Sequence, residues 1–182
     1  MILGLDVSTS KTGWCLLRDD GTLAKMGCVE SHSGADLFDK ADHLVKTLVD
    51  IVKDQGVIEI VIEEPLLRFA KGMSSASTLL TLNRYNGMVT YACWRDLRIR
   101  PTHLNVIFAR RRLGIKKEKG DNVKEVVMKW VSSDLKDYEW PTRVVSRGKR
   151  KGETIFEETC FDVADAYVIA KAHHAARVKS KV

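Results

Sequence analysis

The sequence is poor in residues that break or staple a chain. Only 3 prolines stand among 182 residues, too few for a collagenous or proline-rich disordered protein. The four cysteines, Cys15, Cys28, Cys93 and Cys160, are widely spaced and form no Cys-x-x-Cys pair. That pattern disfavours zinc and suits reduced, mostly buried thiols in a cytosolic protein. No apolar run approaches the ~18 residues of a membrane span. The opening Met-Ile-Leu-Gly-Leu-Asp lacks a basic segment and has an acid at position 6, unlike a secretory signal or an Arg-rich transit peptide. What remains is a globular composition, 45% hydrophobic and 30% charged, in a chain about one domain long. A domain of ~150 residues buries roughly 68–70% of its unfolded surface, so this one needs no staples.

Charge is abundant but unevenly placed. The chain carries +6 overall, yet residues 95–151 hold 17 basic and 7 acidic side chains, a local +10. The rest is net −4. A basic half beside an acidic remainder suggests a polyanionic partner, with the acids doing a separate job.

Periodicity sets out the elements. Residues 2–7 alternate as a strand, and 12–18 and 22–30 form a hairpin about the Asp19-Asp20-Gly21 turn. Leu37, Ala41, Leu44, Val45, Leu48 and Val52 make 36–55 an amphipathic helix, stopped by Gly56. Strand 57–63, helix 74–95, strand 99–106 and short helix 106–113 follow. Residues 114–120 are a Lys-rich loop, and Asp121 is placed to cap a helix ending near Leu135. The basic stretch 136–160 reads equally as loop or hairpin. A last helix begins at Cys160 or Phe161 and runs to about Val178. No repeat or linker interrupts this order. It predicts a single α/β domain over 1–182, with a mixed sheet of one antiparallel hairpin followed by βα units.

Four acids stand out by position. Strand alternation puts Asp6 on the face opposite Leu3 and Leu5, and Glu63 on the face opposite Ile60 and Ile62. Glu64 follows in the other phase, so Glu63 is preferred. Asp162 and Asp165 share one face of the last helix. Each alone has an ordinary role: Asp6 in a turn, Glu63 paired to Arg68, Asp162 as a helix cap. Together they are costly, because carboxylates at the ends of apolar strands are hard to desolvate and repel one another. A hard divalent cation removes both problems. Two such ions about 3.5–4 Å apart can hydrolyse a phosphodiester.

Three segments carry a resemblance. Residues 2–14 (Ile-Leu-Gly-Leu-Asp-Val-Ser-Thr-Ser-Lys-Thr-Gly-Trp), 60–64 (Ile-Val-Ile-Glu-Glu) and 162–170 (Asp-Val-Ala-Asp-Ala-Tyr-Val-Ile-Ala) resemble the RuvC family of Holliday junction resolvases. Residues 113–127 look like that family's basic loop feeding a helix. The resemblance spans about 2–178 and implies an RNase H-like fold with a five-stranded mixed sheet flanked by helices. It makes Asp6, Glu63, Asp162 and Asp165 the catalytic, metal-binding acids. They would hold two magnesium ions per site, with manganese able to substitute. It implies DNA contacts from Lys116, Lys117, Lys119 and Lys124, and the basic stretch adds Arg147, Lys149 and Arg150. Where the family often has an aromatic three residues after the Glu, this chain has Leu66, so Phe69 becomes the candidate for base stacking. The long stretch 136–160 departs from the bacterial pattern and suggests a divergent, phage-encoded branch.

The expected function is therefore metal-dependent endonucleolytic cleavage of branched DNA, four-way junctions above all, by paired nicks. A homodimer matches a junction's two-fold symmetry, and helix 74–95 is its candidate interface. The expected location is the bacterial cytoplasm, without a membrane partner. Other readings are an RNase H-like nuclease acting on RNA–DNA hybrids or flaps, and a non-catalytic branched-DNA binder. An actin-like kinase is disfavoured: it needs two similar lobes and a second phosphate loop, and no second Gly-rich loop is found. His173 and His174 lie beyond Asp165 on the last helix and receive no catalytic role.

Overall fold

A computed structural model describes residues 1–65 and 75–179. β1 (Ile2–Asp6), β2 (Lys11–Leu17) and β3 (Leu23–Glu30) form an antiparallel meander. β4 (Glu59–Glu63) then lies parallel to β1, and β5 (Thr102–Leu104) parallel to β4. The sheet order is β3-β2-β1-β4-β5, so the first strand is central. β5 is only three residues long, because pairing extends just from Val61–Thr102 to Glu63–Leu104. The expected strand 99–106 shrinks accordingly.

α1 (Leu37–Val52) and α2 (Ala76–Leu97) cover one face of the sheet. Their apolar sides meet Leu3, Leu5, Ile60 and Ile62. α3 (Val106–Arg112), α4 (Val123–Asp134) and α5 (Thr159–Lys179) cover the other, over Ile2, Cys15 and Val61. α5 is apolar nearly all round in its middle: Ala166, Tyr167, Val168, Ile169 and Ala170 are all fully buried. A helix of that kind belongs inside, and here α3 and α4 flank it on the same face of the sheet.

The caps follow side-chain chemistry. Asp36 accepts from the amides of Phe38 and Asp39 to start α1. α4 is capped by Asn122, which accepts from Lys124 N, and not by Asp121. Asp121 instead accepts from the Glu118 amide within the preceding loop. The basic stretch resolves into a small hairpin, β6 (Thr142–Val144) with β7 (Thr154–Phe156), whose turn is closed by Val145 and Glu153. It leads directly into α5. The cysteines are all unbridged. No helix among the described residues is long and apolar enough to cross a membrane.

Candidate active site

The site is set by how closely α5 lies on the sheet. A Cβ on Gly4 would fall 2.7 Å from both the Ala166 carbonyl oxygen and the Ala170 methyl. One on Gly13 would fall 2.0 Å from the Asp162 carbonyl oxygen. Two glycines thus admit the helix backbone where any side chain would hold it off. Gly13 pairs with Asp6 across β1 and β2, so Asp162 lies over the neighbour of Asp6. Leu5 pairs with Ile62, so the next step along the parallel pair puts Glu63 beside Asp6. Asp165, one turn further along α5, faces the same strand ends.

The electrostatics record this crowding. Burial, and then repulsion from Glu63, Asp165 and Asp162, pushes the Asp6 carboxyl well above the ordinary carboxylate range. Glu63 is pushed up to about 7 by burial and then by Asp165, against the pull of Arg110 and a hydrogen bond with Asp6. Asp162 is raised by burial, with Lys124 opposing. No cationic side chain among the described residues pairs directly with Asp6 or Glu63.

The two helical acids do have partners. Arg110 Nη2 donates to Asp165 Oδ1 at 3.0 Å, and Lys124 Nζ stands 3.9 Å from Asp162 Oδ1. Asp162 lies within the first turn of α5 and does not cap it. Among the described residues no three acids, histidines or cysteines already surround a common point. The donor set nevertheless fits a hard divalent cation. It offers carboxylate oxygens only, and their mutual repulsion is what such an ion relieves.

Arg110 was not among the residues singled out from the sequence. Its signal was the triplet Arg110-Arg111-Arg112 in a short helix whose buried side is Val106 and Ala109. A cation adjoining that side faces inward, and Arg110 Nε is buried with no partner among the described residues. Asn86 was missed too. It donates to the Glu63 carbonyl oxygen at 3.2 Å, and His103 Nε2 lies 3.1 Å from both Asn86 Oδ1 and Thr90 Oγ1. This network pins the end of β4 from the opposite face. Glu64 accepts from Asn105 Nδ2 at 3.2 Å.

The other candidates lie around this centre. Lys124 is on the first turn of α4, with its ammonium 5.9 Å from the Phe161 ring centroid. Lys116 and Lys117 line an open cavity of about 690 Å³ with Ile107, Arg110 and Arg111. Lys119 is exposed on the same loop, and Arg147, Lys149 and Arg150 are exposed at the hairpin tip. Arg150 is turned to Glu153 at 2.6 Å. Leu66, Arg68 and Phe69 lie outside the described residues. His173 and His174 are far from the acids, bonded to Glu59 and to the Asp19 carbonyl.

A central strand ending in an acid, an antiparallel meander on one side and a buried acidic helix across it define an RNase H-like α/β architecture. Among solved structures it is that of RuvC. Thermus thermophilus RuvC in complex with Holliday junction substrate shares 15% identity over 97% of this chain and 94% of that one, at a TM-score of 0.64. A second Thermus thermophilus RuvC structure gives 16%, 98%, 96% and 0.64. The yeast mitochondrial Holliday junction resolvase Ydc2 shares 15% over 99% of this chain and 80% of that one, at 0.60. The chain has the RuvC-type fold. No protein-family model and no curated protein matches the sequence.

Proposed function

We propose that this protein is a metal-dependent endonuclease that nicks branched DNA, four-way junctions above all. One observation carries the reading. Four carboxylates from three elements crowd one end of the sheet, and two of them, Asp6 and Glu63, lack any paired cation among the described residues. Folding does not gain from that arrangement, whereas a bound cation does. The solved proteins of this fold named above include junction resolvases.

Asp6, Glu63, Asp162 and Asp165 would hold two magnesium ions, or manganese in their place. Bound there, the ions supply an activated water and stabilisation of the leaving oxygen. The chain's own groups do the rest. Arg110 holds Asp165 in place and balances its charge. Lys124 presents a cation beside Asp162, where a scissile phosphate gathers negative charge. Lys116, Lys117, Lys119, Arg111 and the hairpin's Arg147, Lys149 and Arg150 bind the DNA backbone, an attraction that weakens as salt rises.

Junction cutting needs two nicks, and a second copy supplies the second site. On α2, Leu80, Tyr91 and Trp94 fall on one stripe and are 59%, 58% and 43% exposed. Gly87 lies between them with open space above it. This stripe is the face proposed to meet the second copy. The setting is the bacterial cytoplasm, for a protein of bacterial or phage origin.

The test is a nicking assay on labelled four-way junction, Y-fork, linear duplex and RNA–DNA hybrid, with magnesium and with EDTA. Paired, EDTA-sensitive nicks on the junction, lost in Asp6→Asn and Glu63→Gln, are expected. Cutting of the hybrid alone would replace the junction with a hybrid substrate. Tight junction binding without cutting in magnesium or manganese would leave only a binder.

A further inference from the structure

An ion pair stands at the edge of the acid cluster. Lys11 opens β2, and Lys11 and Gly13 share one face of that strand. Gly13 lies against the Asp162 carbonyl, so the Lys11 side chain emerges on the face that the start of α5 covers. Its ammonium donates to Glu158 Oε2 at 3.1 Å and stands 3.8 Å from Oε1 of Glu30, its cross-strand neighbour. Ser8 fixes the lysine's backbone. Its hydroxyl accepts from the Lys11 amide at 3.2 Å and donates to the Lys11 carbonyl at 2.8 Å.

Glu158 immediately precedes α5. Its side chain is 79% exposed, against 29% for Lys11. The hydrogen bond and charge of Lys11, then the charges of Lys124 and Arg143, hold its carboxyl below the ordinary range. Lys11 and Lys124 are both within electrostatic reach of Asp162 too, Lys124 at 3.9 Å. One exposed carboxylate thus sits among three cations, beside acids that are short of them. An exposed pair adds little to stability. A pair that holds the fold is less open: Glu59, bound to Arg177 at the other end of α5, is 32% exposed.

We propose that Glu158 is an internal stand-in for a DNA phosphate, and that Lys11 exchanges it for the phosphate beside the cut when DNA binds. The inference rests on the nuclease reading above. An ammonium that a carboxylate oxygen satisfies is equally satisfied by a phosphate oxygen, so the exchange leaves no bare charge to desolvate. Glu158 then turns into water at little cost, being largely there already. In the free protein the pair has a second effect. It occupies the Lys11 ammonium, which would otherwise be free to pair with Asp162 and compete with a divalent ion there.

The test measures binding of the full chain to a labelled four-way junction in calcium, by anisotropy at constant salt. Glu158→Gln is expected to bind about three- to fivefold tighter than wild type, the scale of one exposed charge pair. Asp50→Asn removes the same charge from the exposed side of α1, on the other face of the sheet, and is expected to change binding by less than about twofold. Lys11→Gln should bind about three- to fivefold more weakly, and Lys11→Arg should recover most of that loss. In the Lys11→Gln background the gain from Glu158→Gln should shrink to less than about twofold, because the two side chains act as one unit. Junction binding and cutting by wild type, with an equal gain from Glu158→Gln in both backgrounds, overturns the exchange and leaves the nuclease reading intact. An equal gain from Asp50→Asn, or weaker binding by Glu158→Gln, overturns it in the same way. Absence of any junction binding or cutting by wild type removes the nuclease reading and the exchange together.

Discussion

The two ends of α5 treat charge in opposite ways. At its C-terminal end every acid it faces is neutralised. Glu59 receives His173 at 2.6 Å and Arg177 at 2.8 Å, Asp19 receives Arg177 and the chain's terminal ammonium, and Asp134 receives Lys171 at 3.3 Å. At its N-terminal end Asp6 and Glu63 repel each other and the helical acids. The same helix therefore clamps the fold at one end and holds an electrostatic strain at the other. A protein with enough cations to satisfy one end leaves two acids at the other, Asp6 and Glu63, without a paired cation among the described residues.

The sharpest way to break this contrast is Asp6→Asn. Cutting should fall by more than the ~10–100-fold that outer-shell partners of a metal site cost. The metal-free protein should melt at a higher temperature than wild type, since one repelling charge is gone. Calorimetry in EDTA beside the nicking assay reads both, and a lowered melting temperature would show that Asp6 is structural. Gly13→Ala attacks the contact that creates the strained end. With its methyl 2.0 Å from the Asp162 carbonyl, it should destabilise the fold by about 1–3 kcal/mol or more and remove cutting as well, by denaturant titration and assay.

Arg110→Ala should slow cutting about 10–100-fold. It also leaves Asp165 buried without its partner, so stability falls too; Arg110→Lys should recover part of both. At the clamped end, Glu59→Gln should cost only about 1–2 kcal/mol, with cutting per folded molecule unchanged. The last effect is in pH. Glu63 binds its proton more tightly folded than unfolded, so its contribution to metal-free stability declines as pH rises from about 4.5 to about 7. Melting curves across that window should show the decline in wild type and a shallower one in Glu63→Gln.

Strand phase and helix spacing made the grouping of the four candidate acids legible without coordinates. Period-2 alternation is enough to put Asp6 and Glu63 on the face away from Leu3, Leu5, Ile60 and Ile62, and a three-residue step is enough for Asp162 and Asp165. The cations were less legible. Arg110 is one of three consecutive arginines, and only packing of Val106 and Ala109 tells which one turns inward. The α4 cap passed from Asp121 to Asn122 because both side chains can cap, and the loop claimed the first. Residues 136–160 were ambiguous because each strand of the hairpin is three residues long, too short for alternation to register. Asn86 and His103 act through a carbonyl, which no side-chain pattern reports.

The close seating of α5 bears on how relatives of this chain are to be found. Gly4 and Gly13 meet Ala166, Ala170 and the Asp162 backbone directly, so a handful of small residues fixes the distance between the first strand's acid and the last helix's acids. The overall fold itself is shared with Thermus thermophilus RuvC at only 15% identity. A search template of two glycines on the first two strands, an acid closing the first and fourth, and Asp-x-x-Asp-Ala on a buried late helix should therefore retrieve kin that overall similarity passes over.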